Sequence, residues 1–192
     1  VFRKKMSSSQ DSEIVNLLKN AGAIIMGKTV TCELAYIHPS KTTNPHDYSR
    51  TPGGSSSGSA AVVASHMAHL SIGSQTGGSV IRPASFCGVV GYKPSYGLIS
   101  RSGVLKTSEK LDTIGVFGKT VKDVALLSKS LIKKDLYDTS TIHFAADDML
   151  KVCDEGPPFE PKFIFYKTDK WKNISKESQK AFEFLIKNFK KN

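Results

Sequence analysis

Residues 52–79, PGGSSSGSAAVVASHMAHLSIGSQTGGS, constrain the fold more than any other stretch: half of these residues are Ser or Gly and none is Asp, Glu, Lys or Arg. A Gly/Ser linker stays disordered because it has nothing to bury. Here the middle breaks that rule. AAVVASHMAHLSI carries enough small apolar side chains for one helix and a strand, with Ser55 to Gly58 at the helix entrance. His66 stands where the helix should end, and His is among the non-glycine residues that tolerate a left-handed cap. The segment therefore reads as a packed, charge-free unit with a serine-bearing glycine turn at each end, GGSS (53–56) and TGGS (76–79).

Two chemistries use such turns. Glycines and the free N–H groups of a helix N-terminus attract phosphate. GGSSSGS, however, lacks the Lys-Ser/Thr ending of a P-loop and does not fit G-x-G-x-x-G, and Lys28 in GKT has that ending without a glycine-rich loop before it. The other chemistry is acyl transfer. A serine hydroxyl is a poor nucleophile at neutral pH and needs a base, while the tetrahedral oxyanion needs preorganised N–H donors. Glycine beside the nucleophile lets the backbone turn those donors inward. Thr76, Gly77, Gly78 and Ser79 are the candidate donors.

The rest of the chain has an α/β rhythm. After Asp11 or Ser12 as N-cap, Ile14, Leu17, Leu18 and Ala21 follow helical spacing and Gly22 stops the helix. AIIMG (23–27) reads as a short buried strand, and LSIG, GVVGY and LISRSGV as strands and tight turns. Thr120 with Asp123 forms a capping box opening VKDVALLSKSLI. Residues 139–161 lose periodicity and read as a long, irregular surface connection, followed by a strand KFIFYK (162–167) and a helix with the stripe Phe182, Leu185, Ile186, Phe189. That helix reaches Lys191 and Asn192 without a glycine stop, which suggests that sequence continues. With 192 residues and 39% hydrophobic content, one domain or part of a larger one is expected.

A formal charge of +10 invites a nucleic-acid reading, but lysines in the last 42 residues alternate with Asp154, Glu155, Glu160, Asp169, Glu177 and Glu183, the pattern of a solvated face. No nucleic-acid partner is expected. Cys32, Cys87 and Cys153 are too far apart for C-x-x-C, so free, mostly buried thiols in a reducing compartment are the reading, with Cys87 a small packed side chain. His66 and His69 are three apart, yet no neighbouring Cys, Asp or Glu completes a metal set. No metal and no cofactor are expected. No apolar run reaches the length of about 20 residues needed to span a membrane, and VFRKKMSSSQ has no apolar signal core. A cytoplasmic protein without membrane contact is the expectation.

PGGSSSGSAA followed by SQTGGSVIRPASFCGVVGYKPSYGLIS closely resembles the signature region of the amidase signature family, serine hydrolases that cleave carboxamides. The similarity takes in NAGAIIMGKTVTCELA (20–35), TNPHDYSRTPGG (43–54) and LDTIGVFGKTVKDVALL (111–127), and covers about residues 11–135. It implies an α/β fold, a mixed β-sheet core flanked by helices, with residues 1–192 as one partial amidase domain. It also implies Ser79 as nucleophile, Ser55 as a bridging serine entered through a cis peptide bond from Gly54, and the amides of 76–79 as oxyanion hole. In the implied mechanism Ser79 attacks the amide carbonyl while Ser55 relays its proton toward a neutral lysine. The proton then goes to the leaving amine, and water releases the acyl-enzyme by the reverse relay. The family's lysine sits roughly a hundred residues before the nucleophile, ahead of Val1. Lys28 belongs to the GKT strand motif instead, so residues 1–192 alone are expected to turn over little or no substrate.

Where tRNA-dependent amidotransferase subunits typically read D-T-G-G-S-I-R, this chain has QTGGSVIR, with Gln75 for the acid and arginine one place later at Arg82. That favours a stand-alone amidase of linear amides over an amidotransferase A-type subunit or a catalytically inactive remnant. In a malonamidase-like branch an arginine at this spacing meets an acidic substrate; a structural arginine bonding loop carbonyls is the competing role for Arg82. Ser56 and Ser57 are expected to hold the turn, and Asp112 and Lys93 to be turn and packing residues. The expected partner is a small-molecule amide, with homo-oligomerisation left open.

Overall fold

The computed structural model describes residues 9–145, 148–156 and 158–189. They fall into two units, one ending at Gly156 and one beginning at Pro157. The basic N-terminal stretch through Ser8 and the chain end at Lys191 and Asn192 lie outside the described residues.

The first unit is built on strand β3, Thr113–Gly118, all six residues of which are buried. It is flanked by β1 (Ser71–Gln75) and β2 (Val90–Tyr92) in the order β1-β3-β2, both pairings antiparallel. Side chains alternate across a strand, and β3 uses both faces. Ile114 and Val116 join one core with Ile14, Leu17 and Leu18 of α1 (Glu13–Asn20) and Val124, Leu127 and Leu131 of α4 (Val121–Leu131). Phe117 joins another with Ala60, Val63 and Ala64 of α2 (Ser57–Ala64) and with Val80, Ala84 and Cys87 around α3 (Ile81–Phe86). Helices thus cover both faces, the expected α/β class.

Local signals place the helix ends as the sequence predicts. Thr120 and Asp123 form the reciprocal capping box of α4. Gly22, at φ +82°, and His66, at φ +59°, take the left-handed positions that close α1 and α2. Strand β3 has no such signal. Gly115 interrupts its apolar pattern because a Cβ there would lie 2.8 Å from the Val80 side chain and 2.9 Å from the Tyr92 carbonyl.

Three expected elements differ. Residues 23–27 are not a buried strand: they have no strand assignment, and Ile24 and Met26 are largely exposed. An apolar run becomes a strand only when a neighbour satisfies its backbone groups, and none of the named strands pairs with it. The 139–161 connection is neither irregular nor superficial throughout. Thr141 is buried, and α5 (Met149–Glu155) lies near α4, with Lys122 paired to Asp154. In the second unit, 162–167 is not a strand. Its aromatic residues instead meet the stripe of α6 (Lys176–Phe189): Phe163 stacks on Phe189 at 4.5 Å, and Phe165 sits 6.0 Å from Phe182.

The LISRSGV segment, a tight turn with one isolated bridge from Ile99 to Ile132, hides an ionic cluster. Arg101, 3% exposed, donates through Nε to Asp138 at 3.2 Å and through Nη2 to the Ser140 hydroxyl at 2.9 Å. Asp135 accepts from the Ser100 and Ser102 hydroxyls. Burial opposes ionisation of Asp138, but hydrogen bonds from Arg101 and Ser140 outweigh it and hold the carboxyl well below the usual range. Asp135 is lowered too, against burial, by the two serines and the Tyr137 amide.

This packing can be tested at two points. Gly115→Ala should destabilise the chain by about 1–3 kcal/mol through overpacking, read as a lower urea midpoint at unchanged slope. Because Asp135 and Asp138 have depressed folded-state values, their stabilisation is present above the unfolded aspartate value of about 3.9 and is lost as pH falls through the folded ones. Denaturant titrations should show stability declining in acid below about pH 4. Asp138→Asn should flatten that decline and cost about 3 kcal/mol at neutral pH by leaving buried Arg101 with only the exposed Glu109 as counter-charge.

Candidate active site

Three serines of GGSSSGS fasten α2 to its surroundings. The Ser56 hydroxyl accepts from the Ser74 amide at 3.3 Å and donates to the Ser74 carbonyl at 3.2 Å, both on β1. That approach requires Gly73, since a Cβ there would run into the Ser56 side chain. Ser59 Oγ donates to the Ile72 carbonyl at 2.7 Å, and Ser71 Oγ returns a bond to the Ser59 carbonyl at 2.6 Å. Ser57 reaches the other way, to the Val30 carbonyl at 3.2 Å and the Ser40 hydroxyl at 3.0 Å. The expected turn-holding role of Ser56 and Ser57 thus acts across segments distant in sequence.

This clasp brings the N-terminus of α2 and the C-terminus of β1 to one end of the sheet. The two glycine turns meet there: the Ser56 amide donates to the Ser79 carbonyl at 3.2 Å. The peptide between Gly54 and Ser55 is cis, as the resemblance implies. Ser55 is buried and Ser79 half-buried, and the Ser55 carbonyl accepts from the Cys32 amide at 2.9 Å. Space behind the first turn is tight, since a Cβ at Gly54 would lie 2.6 Å from Cys32 Sγ. Arg82 spans both turns: Nη1 donates to the Gly54 carbonyl at 3.4 Å, and a Cβ at Gly78 would lie 2.8 Å from Nη2.

The second turn is held from two sides. Gln75 faces Thr113 in the β1–β3 register, so the next residue, Thr76, comes beside Asp112. The Thr76 hydroxyl donates to the Asp112 carboxylate, which also accepts from the Thr107 amide at 2.5 Å and the Ser108 amide at 2.9 Å. Burial raises the Asp112 pKa, but these donors more than compensate and keep it below the ordinary value. Asp112 is thus a charged hub rather than a simple turn residue. On the far side Gln75 Oε1 accepts from the Val80 amide at 2.9 Å and the Ile81 amide at 3.0 Å. Among the described residues, no acceptor takes the amides of Gly77, Gly78 or Ser79. Sequence reading missed both anchors; a turn followed by α3 with no Ser, Thr, Asp or Asn at the Val80 cap was the available signal.

The geometry therefore offers a half-buried serine, a buried serine behind a cis peptide, and amides without acceptors in a glycine turn. The family model described as Amidase matches residues 1–192. This chain belongs to the amidase family. It is 47% identical over 153 residues to the second A-type subunit of the glutamyl-tRNA(Gln) amidotransferase of Clostridium acetobutylicum, covering 76% of this chain and 32% of the relative. Among solved structures, the A-type subunit of the Thermotoga maritima glutamyl-tRNA(Gln) amidotransferase superposes with a TM-score of 0.69 at 44% identity, covering 73% of this chain and 32% of that one. The native peptide amidase of Stenotrophomonas maltophilia superposes with a TM-score of 0.69 at 33% identity, covering 74% and 32%. The chain spans about a third of the length of these relatives.

Other candidates stay apart from this centre. Lys28 is exposed, and among the described residues the lysine ammonium groups that hydrogen-bond in the first unit meet Asp11, Pro94, Glu109, Ala64 and Asp154 rather than Ser55 or Ser79. Cys87 is fully buried, its thiol directed to the Pro52 carbonyl at 3.4 Å and pushed up in pKa by burial, so it stays neutral. Cys32 is buried, and all three cysteines are free. Among the described residues, no helix is long and apolar enough to cross a membrane.

Gly58 makes the clasp testable. Alanine in a helix ordinarily gains about 0.5–1 kcal/mol over glycine. Here its Cβ would lie 2.7 Å from the Val30 backbone. Gly58→Ala should therefore lower the thermal midpoint, reversing the usual sign.

Proposed function

We propose that this chain carries the nucleophile-bearing part of an acyl-transfer site that breaks a carboxamide C–N bond. The observation carrying the reading is the contact of the two serine turns through the Ser56 amide and Ser79 carbonyl, beside glycine amides without acceptors. In this reading Ser79 Oγ attacks the amide carbonyl and its proton passes to Ser55, which hands it to a lysine outside residues 1–192. The amides of Gly77, Gly78 and Ser79 stabilise the tetrahedral oxyanion, with Thr76 part of the same turn. The proton returns to the leaving amine, and the acyl group on Ser79 passes to water or to another acceptor. Asp112 and Gln75 shape the turn and do not touch the reacting atoms.

For subtype, the greater similarity to the A-type amidotransferase subunits supports an A-type subunit that works with a partner protein over a stand-alone amidase. Gln75 no longer argues the other way. Its bonds to the Val80 and Ile81 amides use only an oxygen acceptor, which an acidic side chain supplies equally well. The stand-alone reading keeps one observation in its favour, Arg82 at the rim of both turns, where it would meet an acidic amide.

Fluorophosphonate labelling of the full-length protein followed by peptide mapping should place the label on Ser79, and Ser79→Ala should abolish it. Label on another residue would overturn the reading. Ammonia release from simple carboxamides without a partner should be weak for an A-type subunit but robust for a stand-alone amidase. Arg82→Leu with unchanged preference between acidic and neutral amides would remove the substrate role of Arg82.

A further inference from the structure

We infer that Gln75 is the positioning residue of the nucleophile turn. The inference rests on the acyl-transfer reading and goes beyond it, because Gln75 contacts neither serine hydroxyl. Its Oε1 takes two consecutive amides, Val80 at 2.9 Å and Ile81 at 3.0 Å, immediately after the nucleophile. The side chain leaves the end of β1, anchored opposite Thr113, and closes a loop over Thr76–Ser79. The remaining ties agree with this geometry: the Thr76 hydroxyl is fixed on Asp112, the Gly78 carbonyl accepts from the Arg82 amide at 2.9 Å, and the Ser79 carbonyl accepts from Ser56.

The consequence is a partition of donors. Five successive amides, 77 to 81, run through the turn into α3, and an anion would compete for all of them. Gln75 removes the last two, so those offered to an oxyanion are Gly77, Gly78 and Ser79. A carboxamide does this without charge. The carboxylate of the D-T-G-G-S pattern supplies the same kind of acceptor, so the task falls to the oxygen and not to net charge. Gln75 therefore fixes the direction of the turn through one acceptor oxygen.

Phenylboronic acid tests this on the 192-residue chain itself. Ser79 Oγ bonds to boron, its proton passes to water, and boron becomes a tetrahedral anion resembling the oxyanion intermediate. Adduct formation is an equilibrium and needs no general base. Boron-11 NMR gives the affinity, and amide hydrogen exchange at Val80 and Ile81 reports the two hydrogen bonds. Gln75→Met, of similar length without an acceptor, should speed exchange at both amides and weaken the adduct about tenfold, as expected for loss of two modest hydrogen bonds. Gln75→Glu, which keeps the acceptor oxygen, should keep both amides protected and bind the boronate within about twofold of wild type near neutral pH. A side chain that merely fills space would not give loss with Met and rescue with Glu. If the wild-type chain forms no adduct at Ser79, the acyl-transfer reading fails and takes the inference with it. If the adduct forms but Gln75→Met binds as tightly as wild type, or Gln75→Glu binds as weakly as Gln75→Met, the inference alone is overturned.

Discussion

The hydroxyl of Ser56 makes two bonds to one residue of β1, accepting from the Ser74 amide and donating to its carbonyl. It behaves as a short piece of neighbouring strand attached to the start of a helix. Nothing larger than Gly73 can stand between, because a Cβ there would occupy the place of the Ser56 side chain. This close approach of α2 to β1 underlies the rest. It sets Ala60, Val63 and Ala64 against Phe117, and it brings one glycine turn to the other. Absence of charge over residues 52–79 follows from the same geometry: the helix side chains are nearly all buried and small, and a charged group there would lose its water without a partner.

Polar atoms carry much of the precision around the site, and each group has a distinct task. Ser57 ties α2 to the Val30 segment, Ser59 ties it to β1, Asp112 gathers the Thr76 hydroxyl with the 107–108 amides, and Gln75 collects the first amides of α3. The turn between Gln75 and Val80 is thus gripped at both ends while its middle stays open. Preorganisation of this kind is what an oxyanion site needs, since donors already aimed need no reorganisation when charge develops. The Arg101 cluster does comparable work away from the site, fastening the segment after α4 to the turn at Ser100–Ser102.

Legibility in the sequence varied with the range of the forces involved. The turns, Ser55 and Ser79 as candidates, the helix between them and its His66 ending were all readable, because a glycine turn, a small-residue helix and a left-handed cap are local events. The anchors were not. Gln75 looked like a marker of subtype, and its capping role emerges only when β1 delivers it against the start of α3. Asp112 looked like a turn residue, yet Thr76 reaches it across the β1–β3 register, 36 positions away in sequence. Arg101 and Asp138, paired at 3.2 Å, are likewise 37 positions apart.

The sequence by itself determined the helices α1, α2 and α4, whose caps and stripes are satisfied within a few residues, and the two serine-bearing turns. Tertiary structure decided the strands. TIGVFG, broken by glycines, became the central strand because its neighbours close on both edges and both faces, whereas the more apolar AIIMG did not pair with any of the named strands. A helix satisfies its own backbone; a strand borrows that satisfaction from segments elsewhere in the chain, and only the folded arrangement says which segment lends it.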